Sequence, residues 1–285
     1  MNEITSKSVL REYMQKYEFF FKKNLGQNFL IDANISSRIV SSLEIEPDDI
    51  VLEVGPGAGA LTQIVATQAK QICAVEIDPF AASILKDVMS ECDNFSLTLK
   101  DVLKVDLSEV FKDYLVDGQR FKAISNLPYY ITSPILMKLL TDDINFEKIV
   151  VTTQKEVAQR LAAKPGTKAY SSFTITVDYY CECEYLFDIS KNSFFPSPEV
   201  DSAVLRLIKR DTPKVEVKNE EFFFKVLRTA FATRRKTLTN CLGNGMGIDK
   251  EKLKSVLMDM GLSESIRGEV LTIEQFAELS NILYN

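Results

Sequence analysis

Ile50-Val51-Leu52-Glu53-Val54-Gly55-Pro56-Gly57-Ala58-Gly59-Ala60-Leu61-Thr62 decides the fold. The apolar run 50–54 reads as a buried strand, the glycines as a tight turn, and Thr62 onward as a helix to about Ala69. A second apolar run, Ile72 to Asp78, follows and carries Glu76 near its end. Strand, turn, helix, strand is half of an open, mostly parallel α/β sheet, with ligands held beyond the carboxyl ends of the strands. Gly55 and Gly57 let a ligand approach the backbone at a helix N-terminus. Glu76 stands about 20 residues beyond the first glycine, where a carboxylate can hold both ribose hydroxyls. The turn permits a nicotinamide dinucleotide as well as S-adenosylmethionine. Glu53 and Asp101 lean toward the methyl donor. Asp101 follows the alternating segment Phe95 to Leu99, which puts it at a third strand end, within reach of an adenine amine.

Outward along the chain lies a second turn, Ser125-Asn126-Leu127-Pro128-Tyr129-Tyr130. It follows the apolar run Phe121 to Ile124. It precedes Ser133-Pro134, which reads as an N-cap and first helical residue. Asn126 offers an amide oxygen, Pro128 fixes the backbone, and Tyr129 supplies a flat face. Such a turn can hold the exocyclic amine of a flat heterocycle and present it to a methyl donor. Phe146 to Gln154 reads as another strand and Lys155 to Ala163 as a helix. Ser172 to Tyr185 alternates like a strand, as does Ala203 to Ile208. Between the last two, Ser193 to Ser202 is a loop stiffened by Pro196 and Pro198. Phe194, displayed from it, would sandwich a base against Tyr129. Taken alone, the loop reads equally as a surface turn with a buried Phe.

Before the glycine turn, residues 1–23 interleave basic and aromatic side chains. They read either as a flap on the substrate or as an amphipathic helix packed on the body. Residues 23–30 form a loop. Asp32 caps a helix with Ile35, Ile39, Val40 and Leu43 on one face.

The chain has 285 residues and 46% hydrophobic content, enough for a sizeable core. It contains no histidine, which excludes Ser-His-Asp triads and histidine acid–base chemistry. Its five cysteines form no Cys-x-x-Cys pair, so no metal site is expected. The cysteine usage, the absence of a signal-peptide core and the short apolar runs imply a soluble cytoplasmic protein without a membrane span. The net charge of −6 argues mildly against nucleic acid, but its distribution argues the other way. After a charged linker at 209–221 the pattern turns helical over 222–242, 250–260 and 273–283. Between Phe222 and Ile248 there is no acidic residue, while Lys225, Arg228, Arg234, Arg235 and Lys236 all fall there. Helical spacing sets Arg228 and Arg235 on one face, a phosphate-binding patch. Two domains are expected, residues 1–209 for methyl transfer and 210–285 for RNA or ribosome binding.

These motifs together resemble the 16S ribosomal RNA adenine dimethyltransferases, the KsgA or RsmA family. The resemblance rests on Leu-Gly-Gln-Asn-Phe-Leu at 25–30, the glycine turn at 53–62 and Val-Glu-Ile-Asp at 75–78. It extends through Asn-Leu-Pro-Tyr-Tyr-Ile-Thr-Ser-Pro-Ile at 126–135, Gln-Lys-Glu-Val-Ala-Gln-Arg at 154–160 and Phe-Phe-Pro-Ser-Pro-Glu-Val-Asp-Ser at 194–202. It ends with Phe-Ala-Thr-Arg-Arg-Lys-Thr-Leu at 231–238 and Arg-Gly-Glu-Val-Leu-Thr-Ile-Glu-Gln-Phe at 267–276. The resemblance implies a Rossmann-like, seven-stranded class I methyltransferase sheet with a small all-α C-terminal domain. It implies S-adenosylmethionine as donor. The implied substrate is two adjacent adenosines in the 3′-terminal hairpin loop of 16S rRNA, within the 30S particle, each methylated twice at N6 by a monomeric enzyme. Donor contacts carry over to Asn28, Leu30, Gly55, Gly57, Glu76, Asp101 and Asn126. Target-base contacts carry over to Asn126, Leu127, Pro128, Tyr129 and Phe194. RNA contacts are expected from Arg228, Arg234, Arg235 and Lys236. Family members often carry a basic residue where Glu199 stands. The alternatives are an Erm-type 23S rRNA dimethyltransferase, a nonenzymatic assembly factor that keeps a relic donor pocket, and a nicotinamide oxidoreductase.

Overall fold

A computed structural model describes residues 4–22, 25–116 and 119–284. The chain divides into two compact units, residues 1–158 with 184–209, and residues 159–183 with 210–285. The second unit takes in 159–183, ahead of the boundary that the charged linker at 209–221 suggests.

The first unit opens with α1 (Lys7–Lys16), whose Leu10 is buried. A two-residue strand β1 (Phe29–Leu30) leads to α2 (Ala33–Ser41), capped by Asp32 accepting from the Ile35 amide at 3.1 Å. Strands β2 (Ile50–Val54), β3 (Gln71–Glu76) and β4 (Phe95–Leu99) alternate with α3 (Thr62–Ala66) and α4 (Pro79–Val88). After α5 (Leu107–Val110) the chain returns to β5 (Phe121–Asn126), then α6 (Thr132–Thr141), β6 (Phe146–Gln154) and α7 (Lys155–Leu161). Beyond the helix α8 (Ser172–Tyr180) come β7 (Cys181–Ile189), the short β8 (Phe194–Phe195) and β9 (Ser202–Lys209).

The seven-stranded sheet has the order β4-β3-β2-β5-β6-β9-β7. The pairs from β4 to β6 are parallel and β6–β9 is antiparallel. β2 and β3 are buried at every position, as a strand covered on both faces must be. The chain runs outward from β2 to β4 and then crosses back to β5. The switch point therefore falls between β2 and β5, where a crevice opens beyond the strand ends. The turns after β2 and β5, at Gly55 and Asn126, stand side by side there because Glu53 is in register with Ile124.

The arm packs on the body. Ile4, Leu10 and Phe19 are buried, and Lys16 and Tyr17 both donate to Asp87 of α4, at 2.5 and 2.9 Å.

In the second unit, α8, α9 (Glu220–Phe231), α10 (Leu238–Met246), α11 (Lys250–Asp259) and α12 (Ile273–Leu283) share one core around Phe223, Leu227, Leu257 and Phe276. Two expectations are corrected here. Residues 172–180 are helical although they alternate. Ser171 and Thr174 form a capping box, and Ile175 and Tyr179 bury themselves in this helical core, which overrides their β-branched and aromatic preference. The segment expected as one helix over 222–242 is two helices. Arg234, Arg235 and Lys236 lie in the break between α9 and α10, so Arg228 and Arg235 do not share a helical face. All four basic side chains are exposed. Arg234 also donates to the Lys168 carbonyl and lies 3.8 Å from Glu269.

Candidate active site

The crevice between the β2 and β5 turns is lined by Asn28, Leu30, Gly55, Gly57, Glu76, Asp101, Asn126, Leu127, Pro128 and Tyr129. Eleven of the predicted residues are donor or base contacts, and these ten come together. The eleventh, Phe194, does not. β8 pairs antiparallel with β1, Leu30 opposite Phe194, and this turns the ring inward. Phe194 is 3% exposed and packs with Ile39, Val40 and Val204. Its neighbour Phe195 is half-buried, edge-on to Phe21 and beneath the cationic ends of Lys7 and Arg11.

Gly55 and Gly57 have φ of +65° and +57°, a region that favours glycine. A Cβ on Gly57 would come within 2.8 Å of the Phe29 ring, so the turn and β1 close on each other there. A Cβ on Gly55 would meet nothing within 4 Å. The backbone thus borders open space on the crevice side, a cradle of the kind a nucleoside-bearing donor fills.

Glu76 ends β3 with its carboxylate held from three sides. Oε1 accepts from the amides of Ile77 and Asp78 at 2.9 and 2.8 Å, and Oε2 accepts from Gly57 at 3.1 Å. A carboxylate has about four acceptor positions, so one remains for a hydroxyl. Burial pushes the Glu76 carboxyl up, and the backbone donors pull it back. Asp101 makes a short turn by accepting from the Leu103 amide at 3.0 Å. Both acids therefore reach the crevice from the ends of neighbouring strands.

Asn126 is the last residue of β5. Its Nδ2 donates to the Asn28 carbonyl at 2.9 Å. With the amide nitrogen occupied, Oδ1 is the atom left to accept a hydrogen bond from a ligand. The Leu127 amide donates to the Thr152 carbonyl at 3.0 Å, and the Tyr129 hydroxyl lies 2.6 Å from Ser202 Oγ. The helix expected from Pro134 starts two residues earlier, at Thr132 with Ile131 rather than Ser133 at its N-cap, because a 3-10 turn over Tyr129–Ile131 leads into it. The Asn28 carbonyl is set by its own loop. Asp78 caps α4, accepts from Gln27 Nε2 at 2.6 Å and pairs with Lys22 at 2.8 Å. This clamp fixes the loop that orients the Asn126 amide.

Sequence reasoning assigned no lining role to Ile4 and Leu10 of the arm, which wall the same crevice. Their signal was the aromatic-basic pattern of the arm, which says that it packs but not on what. Glu53 is more informative. It too lines the crevice, is 2% exposed, and accepts from Thr62 Oγ1 at 2.6 Å. Burial, with Glu76 adding its charge, raises its carboxyl to about 8.

Comparison with known proteins places the chain in a family. The profile of the family "Ribosomal RNA adenine dimethylase" matches residues 18–283. The chain belongs to this family. A ribosomal RNA small subunit methyltransferase A of Bacillus cytotoxicus is 47% identical over 99% of this chain and 98% of its own length. The same-named protein of Bacillus mycoides is 48% identical over equal shares. Among solved structures, a dimethyladenosine transferase from Plasmodium falciparum superposes with a TM-score of 0.74 at 26% identity, covering 88% of this chain and 95% of that one. The 23S rRNA methyltransferase ErmE gives 0.69 at 27% identity, covering 90% and 100%. The adenine dimethylase family has a class I methyltransferase sheet, as found here, and membership makes the chain an rRNA adenine dimethyltransferase that uses S-adenosylmethionine. Among the described residues no helix is long and apolar enough to cross a membrane.

Proposed function

We propose that this enzyme methylates N6 of two adjacent adenosines in the 3′-terminal hairpin loop of small-subunit rRNA, twice each. We further propose that it works as a monomer in the cytoplasm on the assembled 30S particle. Full-length relatives named as small subunit enzymes support the choice of subunit over the large-subunit alternative. The observation that carries the site assignment is the Asn126 amide, whose nitrogen is engaged by Asn28 so that Oδ1 is the acceptor.

S-adenosylmethionine, when bound, supplies an electrophilic methyl group on a sulfonium. Asn28, Leu30, Gly55, Gly57, Glu76 and Asp101 would hold it, with Glu76 taking a ribose hydroxyl and Asp101 the adenine amine. The adenine N6 lone pair is delocalised into the ring, so the amine is a poor nucleophile. Asn126 Oδ1 and the Leu127 carbonyl would accept its two hydrogens. That geometry favours a tetrahedral nitrogen with its lone pair directed outward, a form of positioning and electrostatic catalysis. No strong base is needed before transfer, because the amine loses its proton after becoming cationic. Pro128 fixes the direction of the Leu127 carbonyl, and Tyr129, held by Ser202, offers a stacking face to a flipped base. The second transfer requires room for one methyl beside Asn126. Exposed Arg228, Arg234, Arg235 and Lys236 would bind phosphates.

Replacing Asn126 with Ala tests the assignment. Turnover on 30S particles falls by about 100-fold or more, as for other lost transition-state hydrogen bonds, with donor affinity changed far less. Near-normal turnover of that variant overturns the role of Asn126.

A further inference from the structure

The described part of the N-terminal arm carries four cations of two kinds. Lys16 pairs with Asp87 and Lys22 with Asp78, so each is neutralised by the body of its own unit. Lys7 and Arg11 are exposed, and among the described residues neither has an ion pair or a hydrogen bond. Each stands over the Phe195 ring instead, Lys7 Nζ at 4.7 Å and Arg11 Cζ at 5.3 Å from its centroid. They are four residues apart on α1, on one helix face, where like charges repel. A ring offsets that repulsion only weakly where water reaches it. Glu12 follows Arg11 in sequence, but adjacent helical residues do not face each other.

Both parts of this arrangement are anchored. Phe195 is in register with Phe29 across the β1–β8 pair and meets Phe21 edge-on, with centroids 5.5 Å apart. The helix is held by buried Leu10 and by Tyr17 on Asp87. Two cations are therefore carried at a fixed place without an acid to neutralise them. That place adjoins the crevice. Ile4 and Leu10, on either side of Lys7 in the chain, wall it, as do Asn28 and Leu30 on either side of Phe29. We propose that Lys7, Arg11 and the Phe195 ring form a phosphate-binding site at the rim of the crevice, which grips one phosphodiester of the rRNA strand that enters it. The guanidinium offers a planar fork to the phosphate oxygens and the ammonium a point charge. The arm then does both things that its sequence allows: its apolar face packs on the body and its cationic face meets the substrate. This rests on the reading of the 30S particle as substrate and of the crevice as the place of transfer.

The full-length double variant Lys7→Gln/Arg11→Gln, assayed on 30S particles that lack the modification, tests it. KM for the particle rises roughly fivefold to tenfold, and the slope of log affinity against log salt becomes shallower by about 1 to 2. Turnover at saturation and the calorimetric affinity for S-adenosylmethionine stay at wild-type values. The charge-keeping swap Lys7→Arg/Arg11→Lys retains the wild-type KM and salt slope. Circular dichroism checks that the variants are folded, and a footprint on the wild type stands without them: bound particle shields Lys7 from acetylation, and S-adenosylmethionine alone does not. An unchanged KM and salt slope in the folded Gln variant, or equal acetylation of Lys7 with and without the particle, overturns the proposal. A loss of donor affinity with KM for the particle unchanged assigns the pair to the donor's carboxylate and overturns it too. Failure of the wild type to methylate the particle overturns the substrate reading instead.

Discussion

The crevice beyond β2 and β5 and the basic segment at 228–236 are built in opposite ways. In the crevice each polar group is fixed by other parts of the fold: Glu76 by three amides, Asn126 by Asn28, and the Asn28 loop by the Asp78 clamp. In the basic segment the side chains stand in solvent, and Arg234 alone of the four has a hydrogen bond and an ion pair described above. Fixed, buried groups serve chemistry, where an error of an ångström is costly. Exposed charges serve attraction to a polyanion, where reach and number matter more than geometry.

This contrast can be broken by substitution. Asn126→Ala heads the scale, because on the proposed reading it removes the acceptor that orients the adenine amine. Next comes Gly55→Ala, which places a methyl into the open cradle in a strained φ region; donor affinity by calorimetry drops about 30-fold with the fold retained. Neutralising Arg234, Arg235 and Lys236 together leaves kcat intact and raises KM for the particle roughly tenfold. The slope of log affinity against log salt becomes shallower by about 2. If that triple variant loses kcat instead, the basic segment is part of the catalytic geometry and the contrast fails.

The smallest expected effect concerns stability. The Glu53 carboxyl titrates at about 8 in the folded chain and in the ordinary carboxylate range when unfolded. Between those values the folded state holds one more proton than the unfolded state, so stability falls as pH rises through that window. Thermal unfolding of the ligand-free protein from pH 5 to 8.5 shows this decline, and Glu53→Gln flattens it. An equal decline in both proteins assigns it to other groups.

Much of the crevice was legible because backbone demands leave marks in sequence. A turn that needs positive φ wrote Gly55 and Gly57, and parallel strands covered on both faces wrote the continuous apolar runs 50–52 and 72–75. Asp32 was legible as a cap for the same local reason. What failed depended on distant partners. Residues 172–180 alternate, yet their helical neighbours decide their state. The Phe194 ring turns inward because β8 finds β1, more than 160 residues earlier. The break between α9 and α10 carries neither Gly nor Pro, so the basic run looked continuous with its helix. Glu53 was visible as an acid before the glycines, but its burial against Thr62 is a property of the folded crevice alone.

The central claim is the choice of atom and subunit. Purified enzyme is incubated with S-adenosylmethionine and with 30S or 50S particles that lack the modification, and the digested rRNA is read by mass spectrometry. The account predicts about two N6,N6-dimethyladenosines per 30S particle, adjacent in the 3′-terminal hairpin loop, and none in 50S. Dimethyladenosine appearing in 50S rRNA instead, or methylation of 30S at any atom other than adenine N6, contradicts it.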